Sequence, residues 1–415
     1  MEEETKAIAA LPDDALAGVL CVLPPRSLGV AQCVCKAWRD IIDDRALLLP
    51  HLHLLPRSVR GVFINYTGHY RPHLFSRPCS SSSTFPRIDG LLSFMIDDNE
   101  DEWWLVIDHC NGLLICHLDS GVYVCNPATQ QWTLLPACAT PSSSGPYYEG
   151  PYLAFDPAMS PHYEVFRIPS VPDDHQSMDQ CWPPTPWKIT VFSSRTGEWE
   201  DRFSMSNDMY QVIRTPSATV KYNRHLGRSK NGVFFGAGSK DKLWMWILNE
   251  SGEHMEWSLK YECELTPRAY PRNLLAHNIW EVVEAENYDV SAANGEAIGI
   301  ETAQNKESFE WNSDDDDTTV QIVDKVYFAP SFDEILGFHP FKEVVFLVLD
   351  FFGVMAYHLN SSKIQFLGYA HPDCYPRMHT NGIDESFVYT PCLIGELAED
   401  GTGLRSSVTS ADDDS

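Results

Sequence analysis

Residues 11–44 read LPDDALAGVLCVLPPRSLGVAQCVCKAWRDIIDD and hold the most regular apolar pattern of the chain. Apolar residues recur at intervals of three and four, as on one face of a helix: Leu16, Val19, Leu20 and Leu23. Two acidic residues precede this face, where the helix dipole favours negative charge. Pro24 and Pro25 follow it and end the helix, because proline cannot donate a backbone hydrogen bond.

A second apolar face follows directly in the sequence. It consists of Leu28, Ala31, Cys35, Trp38 and Ile42, and is widened by Val34 and Ile41. Two or three short helices within about forty residues bury too little apolar surface to be stable alone. Their apolar faces must therefore contact another surface, which is either the rest of this chain or another protein.

The overall charge excludes several classes of function. The 415 residues carry 30 Lys and Arg against 58 Asp and Glu, a net charge of −28. Binding to nucleic acid through its phosphates needs a basic face, and so does docking on anionic lipid. The acidic N-terminus is unlike a secretory signal, and the apolar run 344–349 is too short to span a bilayer. We expect a cytoplasmic or nuclear protein that binds neither nucleic acid nor membrane.

From residue 51 onward the pattern changes to short apolar runs bounded by Gly, Asn, Asp and Pro, which is typical of strands and turns. A weak repeat consists of a strand, a polar turn and an aromatic residue, and it occurs at 121–132, 189–199, 244–257 and 353–364, where Ile364 replaces the Trp. Asn111-Gly112 and Asn231-Gly232 each precede an apolar run. Repeated antiparallel hairpins favour a β-propeller over a sandwich. The alternative is that these are ordinary, unrelated hairpins.

The helical stretch resembles an F-box, the adaptor-binding motif of Skp–cullin–F-box ubiquitin ligases. The resemblance rests on Leu11-Pro12, on the first apolar face, on the run 24–28 (PPRSL) and on the run 34–39 (VCKAWR). Ala15, Ala17 and Gly18 are smaller than the residues common there, and 29–32 lacks the usual Arg. The resemblance implies contact with a Skp-type adaptor, and through it with a cullin, by Leu11, Pro12, Leu16, Val19, Leu20, Leu23, Pro24, Leu28, Val34, Cys35, Trp38, Ile41 and Ile42.

A weaker resemblance extends into the β region. Residues 108–116 (DHCNGLLIC) and 124–136 (VCNPATQQWTLLP) are similar to the F-box-associated region of plant F-box proteins. That region is commonly propeller-like or kelch-related and recruits the substrate. This chain lacks the regular Gly-Gly pairs of kelch repeats, so the sequence predicts neither the number of blades nor whether the ring closes.

The resulting organisation has a small helical domain and a separate, mostly antiparallel β domain. We predict a flexible N-terminus at 1–10, the F-box at 11–50 and a linker with first strands at 51–100. The β domain follows at 101–395 with an acidic insertion at 281–319, and a disordered acidic tail covers 396–415.

Motifs of catalysis are missing from the sequence. It contains no phosphate-binding loop, no nucleophile elbow and no H-E-x-x-H. Its 12 cysteines form no C-x-x-C pair, and His51 and His53 have no third ligand placed by sequence. The sequence thus predicts neither metal nor cofactor and favours a non-catalytic ligase subunit that recruits an unidentified protein target. The alternatives are a non-ligase scaffold that binds the adaptor, or a propeller that binds a glycan or another ligand.

Overall fold

The computed structural model describes the helical stretch and most of the β region. The described residues are 12–23, 28, 31, 34–45, 47, 58–78, 88–95, 103–138, 150–157, 159–168, 187–204, 213–216, 223–239, 242–251, 254–265, 280–283, 332–349, 352–375, 382–392 and 397. Within these ranges, every helix is too short or too polar to cross a membrane. The predicted acidic insertion beyond residue 283 and the tail beyond residue 397 lie outside the described residues.

Two helices are described near the N-terminus. Helix α1 covers Asp13–Leu20 and begins after Pro12, with both aspartates in its first turn. Helix α2 covers Lys36–Asp44. Leu28 and Ala31, between them, are also helical. An ion pair between Arg45 and Asp14 links the end of α2 to the start of α1. We call residues 12–47 the helical segment.

The β region forms five four-stranded antiparallel sheets arranged as a five-bladed β-propeller. Blade I contains the strands β3 (Trp104–Cys110), β4 (Leu113–Leu118), β5 (Gly121–Asn126) and β6 (Gln131–Leu134). Blade II contains β7 (Gly150–Ala154), β8 (Glu164–Ile168), β9 (Trp187–Ser193) and β10 (Glu198–Ser204). Blade III contains β11 (Asn223–Ser229), β12 (Gly232–Ser239), β13 (Lys242–Ser251) and β14 (His254–Glu264). Blade IV contains β16 (Phe332–Phe338), β17 (Val344–Leu349), β18 (Gly353–His358) and β19 (Ile364–Tyr369).

Blade V is assembled from distant parts of the chain. Its order is β20 (Ile383–Tyr389), β1 (Gly61–Tyr66), β2 (His73–Ser76) and β15 (Glu281–Val282). The C-terminal strand β20 thus pairs with β1, from Gly61 opposite Tyr389 to Tyr66 opposite Ile383. This pairing closes the ring. The predicted fold class, a small helical unit followed by an antiparallel propeller, is confirmed.

The sequence repeat corresponds to one hairpin of the blade. All four copies span the turn between the third and fourth strands, in blades I to IV respectively. Two of the tryptophans hydrogen-bond to segments outside their own sheet. The indole of Trp132 donates to the carbonyl of Phe94 over 3.2 Å, and that of Trp199 donates to the carbonyl of Pro136, just beyond blade I, over 2.7 Å. These tryptophans therefore help to attach blades I and II to their neighbours.

The Asn-Gly pairs lie at the turns between the first and second strands of blades I and III. Asn111 and Gly112 both have positive φ, 46° and 93°, as a tight two-residue hairpin requires. A Cβ on Gly112 would lie 2.4 Å from the backbone nitrogen of Cys392. Glycine is needed here for both its conformation and its size, since this turn packs against the chain that leaves β20.

The hydrophobic core is divided into wedges between neighbouring blades. Strand β17 contributes to two of them, since Val344, Phe346 and Val348 pack between blades IV and V, whereas Val345, Leu347 and Leu349 pack between blades III and IV. Alternate residues of a strand point to opposite faces of its sheet, and here both faces are covered. A blade between two neighbours therefore needs an uninterrupted apolar run, as in this strand.

A buried amide joins blade V to blade I. Asn65 in β1 is 1% exposed, and it donates from Nδ2 to the carbonyl of Val106 over 2.7 Å. Its Oδ1 accepts the amide N–H of the same residue at 3.2 Å. The register of β3 shifts between Val106 and Asp108, so this peptide group pairs with a side chain from the next blade.

Replacing this asparagine tests how strongly the seam contributes to stability. We expect Asn65→Ala to lower the free energy of unfolding by about 2–4 kcal/mol, because it leaves a buried N–H and a buried carbonyl without partners. Chemical denaturation of the full chain measures the change. Asn249→Ala, which removes an exposed bond to Ser258, is the control and should cost under about 0.5 kcal/mol. Equal losses for the two variants would contradict this role for Asn65.

Candidate functional site

The thirteen residues predicted to contact an adaptor fall into different environments. Pro12, Val19, Val34 and Cys35 are exposed, and Leu23 and Trp38 are partly buried. Leu11 and Pro24 lie outside the described residues. The remaining five are buried: Leu16, Leu20, Leu28, Ile41 and Ile42. Their assignment as adaptor contacts stays a prediction.

The buried face of the helical segment is covered by the chain itself. Leu20 is 0% exposed and belongs to one continuous apolar cluster with Leu113 of blade I and Phe155, which follows β7 of blade II. Leu397, beyond the last strand, lies in the same cluster. Of the two surfaces that the sequence allows to cover this face, the rest of this chain covers its buried part. Sequence periodicity identifies an apolar face, but it does not identify the surface that covers it.

Three valines of the helical segment remain open to solvent. Val19 is 56% exposed, Val34 is 60% exposed, and Val22 is 80% exposed. Val22, in the turn after α1, is absent from the predicted set, because helical spacing does not extend to a turn residue. A protein rarely leaves several large apolar side chains exposed on one short segment without using them for contact.

The first strands of the blades meet around the centre of the propeller. Contacts join β3 to β7, β11 to β16, and β16 to β20, and β20 also touches β3. His109 in β3 lies with its ring 5.6 Å from that of Phe387 in β20. His225 in β11 lies 5.4 Å from the ring of Phe338 in β16. The centre thus holds two histidines, on blades I and III.

Burial controls the charge of these central groups. Loss of hydration lowers the pKa of His109 to about 4, opposed by a hydrogen bond with the backbone of Val388. Burial and the nearby His109 likewise lower the pKa of His225 to about 4. Burial also raises the pKa values of Asp108 and Glu385, although the amide N–H of Leu153 donates to Asp108 over 2.7 Å. Both histidines are therefore neutral at pH 7.

The first strands of blades II and III also carry exposed side chains. Tyr152 in β7 and Leu226 in β11 are each more than half exposed. Arg224 and Arg228 flank Leu226 at alternate positions and are exposed as well. Alternate residues of a strand share one face, so β11 presents an apolar residue between two positive charges. These positions have no counterpart in the predicted site, because exposure on an inner strand depends on how the neighbouring blades pack.

A separate group of side chains has the composition of a metal site. His69, in the turn after β1, His73, which opens β2, and Cys374, which follows β19, place one ligand atom each within 4.8 Å of the others. The sequence-level candidates His51 and His53 lie outside the described residues. A spacing of four between two histidines was a visible signal, but the third partner is 301 positions away from His73 in sequence.

Comparison with known proteins identifies the helical segment. Residues 8–54 match the F-box-like family model. The chain therefore has an F-box-like domain followed by a propeller, as the resemblance predicted, and the structure adds that the propeller has five blades. F-box domains are Skp-binding modules.

Several F-box proteins of Arabidopsis thaliana are similar to this chain. One F-box protein is 27% identical over 247 residues, which are 57% of this chain and 54% of the relative. An F-box/kelch-repeat protein is 30% identical over 133 residues, 30% of this chain and 29% of that protein. A further F-box protein is 23% identical over 342 residues, 69% of this chain and 82% of that protein. The chain thus spans about half the length or less of the first two relatives.

Because the two central histidines are neutral in the folded chain, we expect the free energy of unfolding to decrease in mild acid. A histidine whose pKa is lowered in the folded state contributes fully above its ordinary pKa of 6.5, and this contribution is lost as the pH falls towards 4. Both histidines are partly exposed as whole residues, so we expect a loss of about 1–2 kcal/mol for each. The raised pKa values of Asp108 and Glu385 act in the opposite direction.

Denaturation of the wild type and of the variant His109→Gln/His225→Gln between pH 7 and pH 4 isolates the contribution of the histidines. We expect the double variant to lose less stability across this interval than the wild type, whatever its stability at pH 7. His117→Gln, at an exposed position, should keep the wild-type slope. If the free energy of unfolding falls with pH equally in the wild type and the double variant, burial does not hold these histidines neutral.

Proposed function

We propose that this chain is the substrate-recognition subunit of a Skp–cullin–F-box ubiquitin ligase. In this proposal the helical segment binds a Skp-type adaptor and, through it, a cullin, while the propeller recruits a protein target. The chain itself is non-catalytic and works in the cytoplasm, the nucleus or both. Support comes from the F-box-like match at residues 8–54 together with exposed apolar side chains on the same segment.

The physical basis of such a subunit is proximity. A target held close to a ubiquitin-charged enzyme reacts faster because the encounter no longer costs translational and rotational freedom. This requires a firm connection between the two binding surfaces. The shared cluster of Leu20, Leu113 and Phe155 supplies one, since it packs the helical segment against blades I and II. Adaptor and target would then be held at a defined distance.

Exposed valines are better candidates for the direct adaptor contact than the buried leucines. Val19 and Val34 offer apolar surface without any rearrangement of the chain, whereas Leu20 would first have to leave its cluster. A side chain that acts as a hot spot at the centre of a protein interface contributes about 2 kcal/mol or more. We therefore place Val19 and Val34, with Val22 beside them in sequence, at the centre of the proposed interface.

For the target, the strand β11 is the best candidate contact. Its exposed Leu226 lies between Arg224 and Arg228, in a protein whose net charge is −28. Tyr152 on β7 adds an exposed aromatic ring on the neighbouring blade in sequence order. Aromatic residues and arginines are enriched at binding hot spots, and opposite charges speed association. We infer a target segment that combines acidic and apolar residues.

The proposed adaptor contact is tested with Val19→Asp/Val34→Asp. Two charges placed in the interface should weaken adaptor binding by about a hundredfold or more, while thermal stability stays within about 2 °C of the wild type because both positions are exposed. Titration calorimetry with a purified Skp-type adaptor measures the affinity. Met159→Asp, at an exposed apolar position between β7 and β8, is the matched control and should bind normally.

Further readouts separate the possible explanations. Leu20→Asp should lower the melting temperature strongly, because it puts a charge into a buried cluster. A cullin should co-purify with the tagged wild type and with Met159→Asp, but not with the valine variant. Adaptor binding without any cullin would support a scaffold outside a ligase. Unchanged adaptor affinity in the valine variant would refute the proposed interface.

A further inference from the structure

The side-chain cluster between blades IV and V has the geometry of a metal-binding site. The Nε2 atoms of His69 and His73 are 3.1 Å apart. The Sγ of Cys374 lies 3.8 Å from both of these nitrogens. Zinc binds imidazole nitrogen at about 2.0–2.1 Å and thiolate at about 2.3 Å, which in a tetrahedral site separates the ligand atoms by about 3.3–3.6 Å. The observed triangle needs shifts of only a few tenths of an ångström.

The tautomer of His73 suits this arrangement. Its Nδ1 lies 3.4 Å from the carbonyl oxygen of Val283, which can only accept a hydrogen bond. The proton is therefore on Nδ1, and the lone pair on Nε2 points to the other two ligand atoms. Histidines that bind metals usually donate their second ring nitrogen to a carbonyl or carboxylate in this way. The Val283 carbonyl, next to β15, thus orients the imidazole.

The surroundings of the cluster combine a dry side with an open side. His69 and His73 are buried. The ring centroid of Tyr66 lies 6.3 Å from that of His69 and 6.0 Å from that of His73, and the centroid of Tyr375 lies 5.5 Å from that of His69. Cys374 is partly exposed, so solvent can supply the fourth ligand that zinc requires. Arg71 lies near both histidines, and a thiolate at Cys374 would offset its positive charge.

We propose that His69, His73 and Cys374 bind one zinc ion that clamps blade V to blade IV. The two histidines belong to the β1–β2 hairpin of blade V, whereas the cysteine belongs to the segment that leaves blade IV. Hydrogen bonds already cross the same seam, from the hydroxyl of Tyr66 to the carbonyl of Ala370 over 2.8 Å and from that of Tyr375 to the carbonyl of Thr67 over 2.6 Å. The ion would strengthen the contact that closes the ring. This inference does not depend on the proposed ligase role.

The competing explanation is a simple hydrogen bond between the two imidazoles. In that case the Nε2–H of His69 donates to the Nε2 of His73, and the thiol of Cys374 makes only weak contacts with the two rings. The two explanations differ in their response to metal. A hydrogen-bonded pair is indifferent to zinc and to chelators, whereas a zinc site is stabilised by the ion it binds.

Metal binding is measured on the full wild-type chain after treatment with a chelator. Under reducing conditions we expect one equivalent of zinc to bind with high affinity and to raise the melting temperature. Cobalt(II) in place of zinc should give a thiolate-to-metal charge-transfer band and the intense visible bands of a tetrahedral site. Zinc should also slow alkylation of Cys374, mapped by mass spectrometry, but not that of Cys263. Equal alkylation of Cys374 with and without zinc would overturn the proposal, even if every variant failed to fold.

Substitutions then locate the site. Cys374→Ser and His73→Ala should each weaken zinc binding by about a hundredfold or more, and Cys374→Ser should abolish the charge-transfer band. Cys263→Ser and His117→Gln remove the same atom types elsewhere and should leave both unchanged. Zinc binding that survives Cys374→Ser would refute the site, and so would the absence of zinc binding in the wild type. Copper(II) binds more tightly than zinc at most nitrogen and sulfur sites, so copper binding alone does not support a zinc site. A chain that binds copper but no zinc would refute the assignment of the metal.

Discussion

The pairing of β20 with β1 is the contact on which the rest of the propeller depends. These strands lie at opposite ends of the β region, from Gly61 at one end to Tyr389 at the other. Closing a loop of this length costs about 5 kcal/mol of chain entropy by loop-closure scaling. Burial of Phe63, Val388 and Tyr389 between the blades offsets this cost. The Asn65 bonds join blade V to blade I, and the His69–His73–Cys374 cluster joins the β1–β2 hairpin to the segment that leaves blade IV.

Local features of this fold are visible in the sequence. The hairpins that end in Trp132, Trp199 and Trp257 and the Asn111-Gly112 turn are encoded by neighbouring residues, so their patterns predict them. Blade V is different, because its four strands come from three distant segments and no local pattern joins them. The cover over Leu20 and the meeting of Cys374 with two histidines are equally non-local. For the same reason, the sequence suggests a propeller but not its number of blades.

The helical segment buries some of its apolar side chains and exposes others. Its leucines and isoleucines pack against blades I and II, while Val19, Val22 and Val34 face solvent. A segment that buries one set of apolar side chains and exposes another is suited to pack on one surface and to bind a second. The F-box-like match covers both sets of residues. In the proposed complex, an attachment of this kind would hold a bound adaptor in a fixed relation to the propeller.

Hydrogen–deuterium exchange of the full chain, read at the level of single strands, tests ring closure most directly. If β20 closes the ring, amides of β1 and β20 should be protected as strongly as those of β17 and should lose protection together as denaturant is added. Asn65→Ala should accelerate exchange in both strands by a similar factor. Fast exchange in β20 beside a protected β1–β2 hairpin would contradict the account, because the blades would then hold together without the strand that closes them.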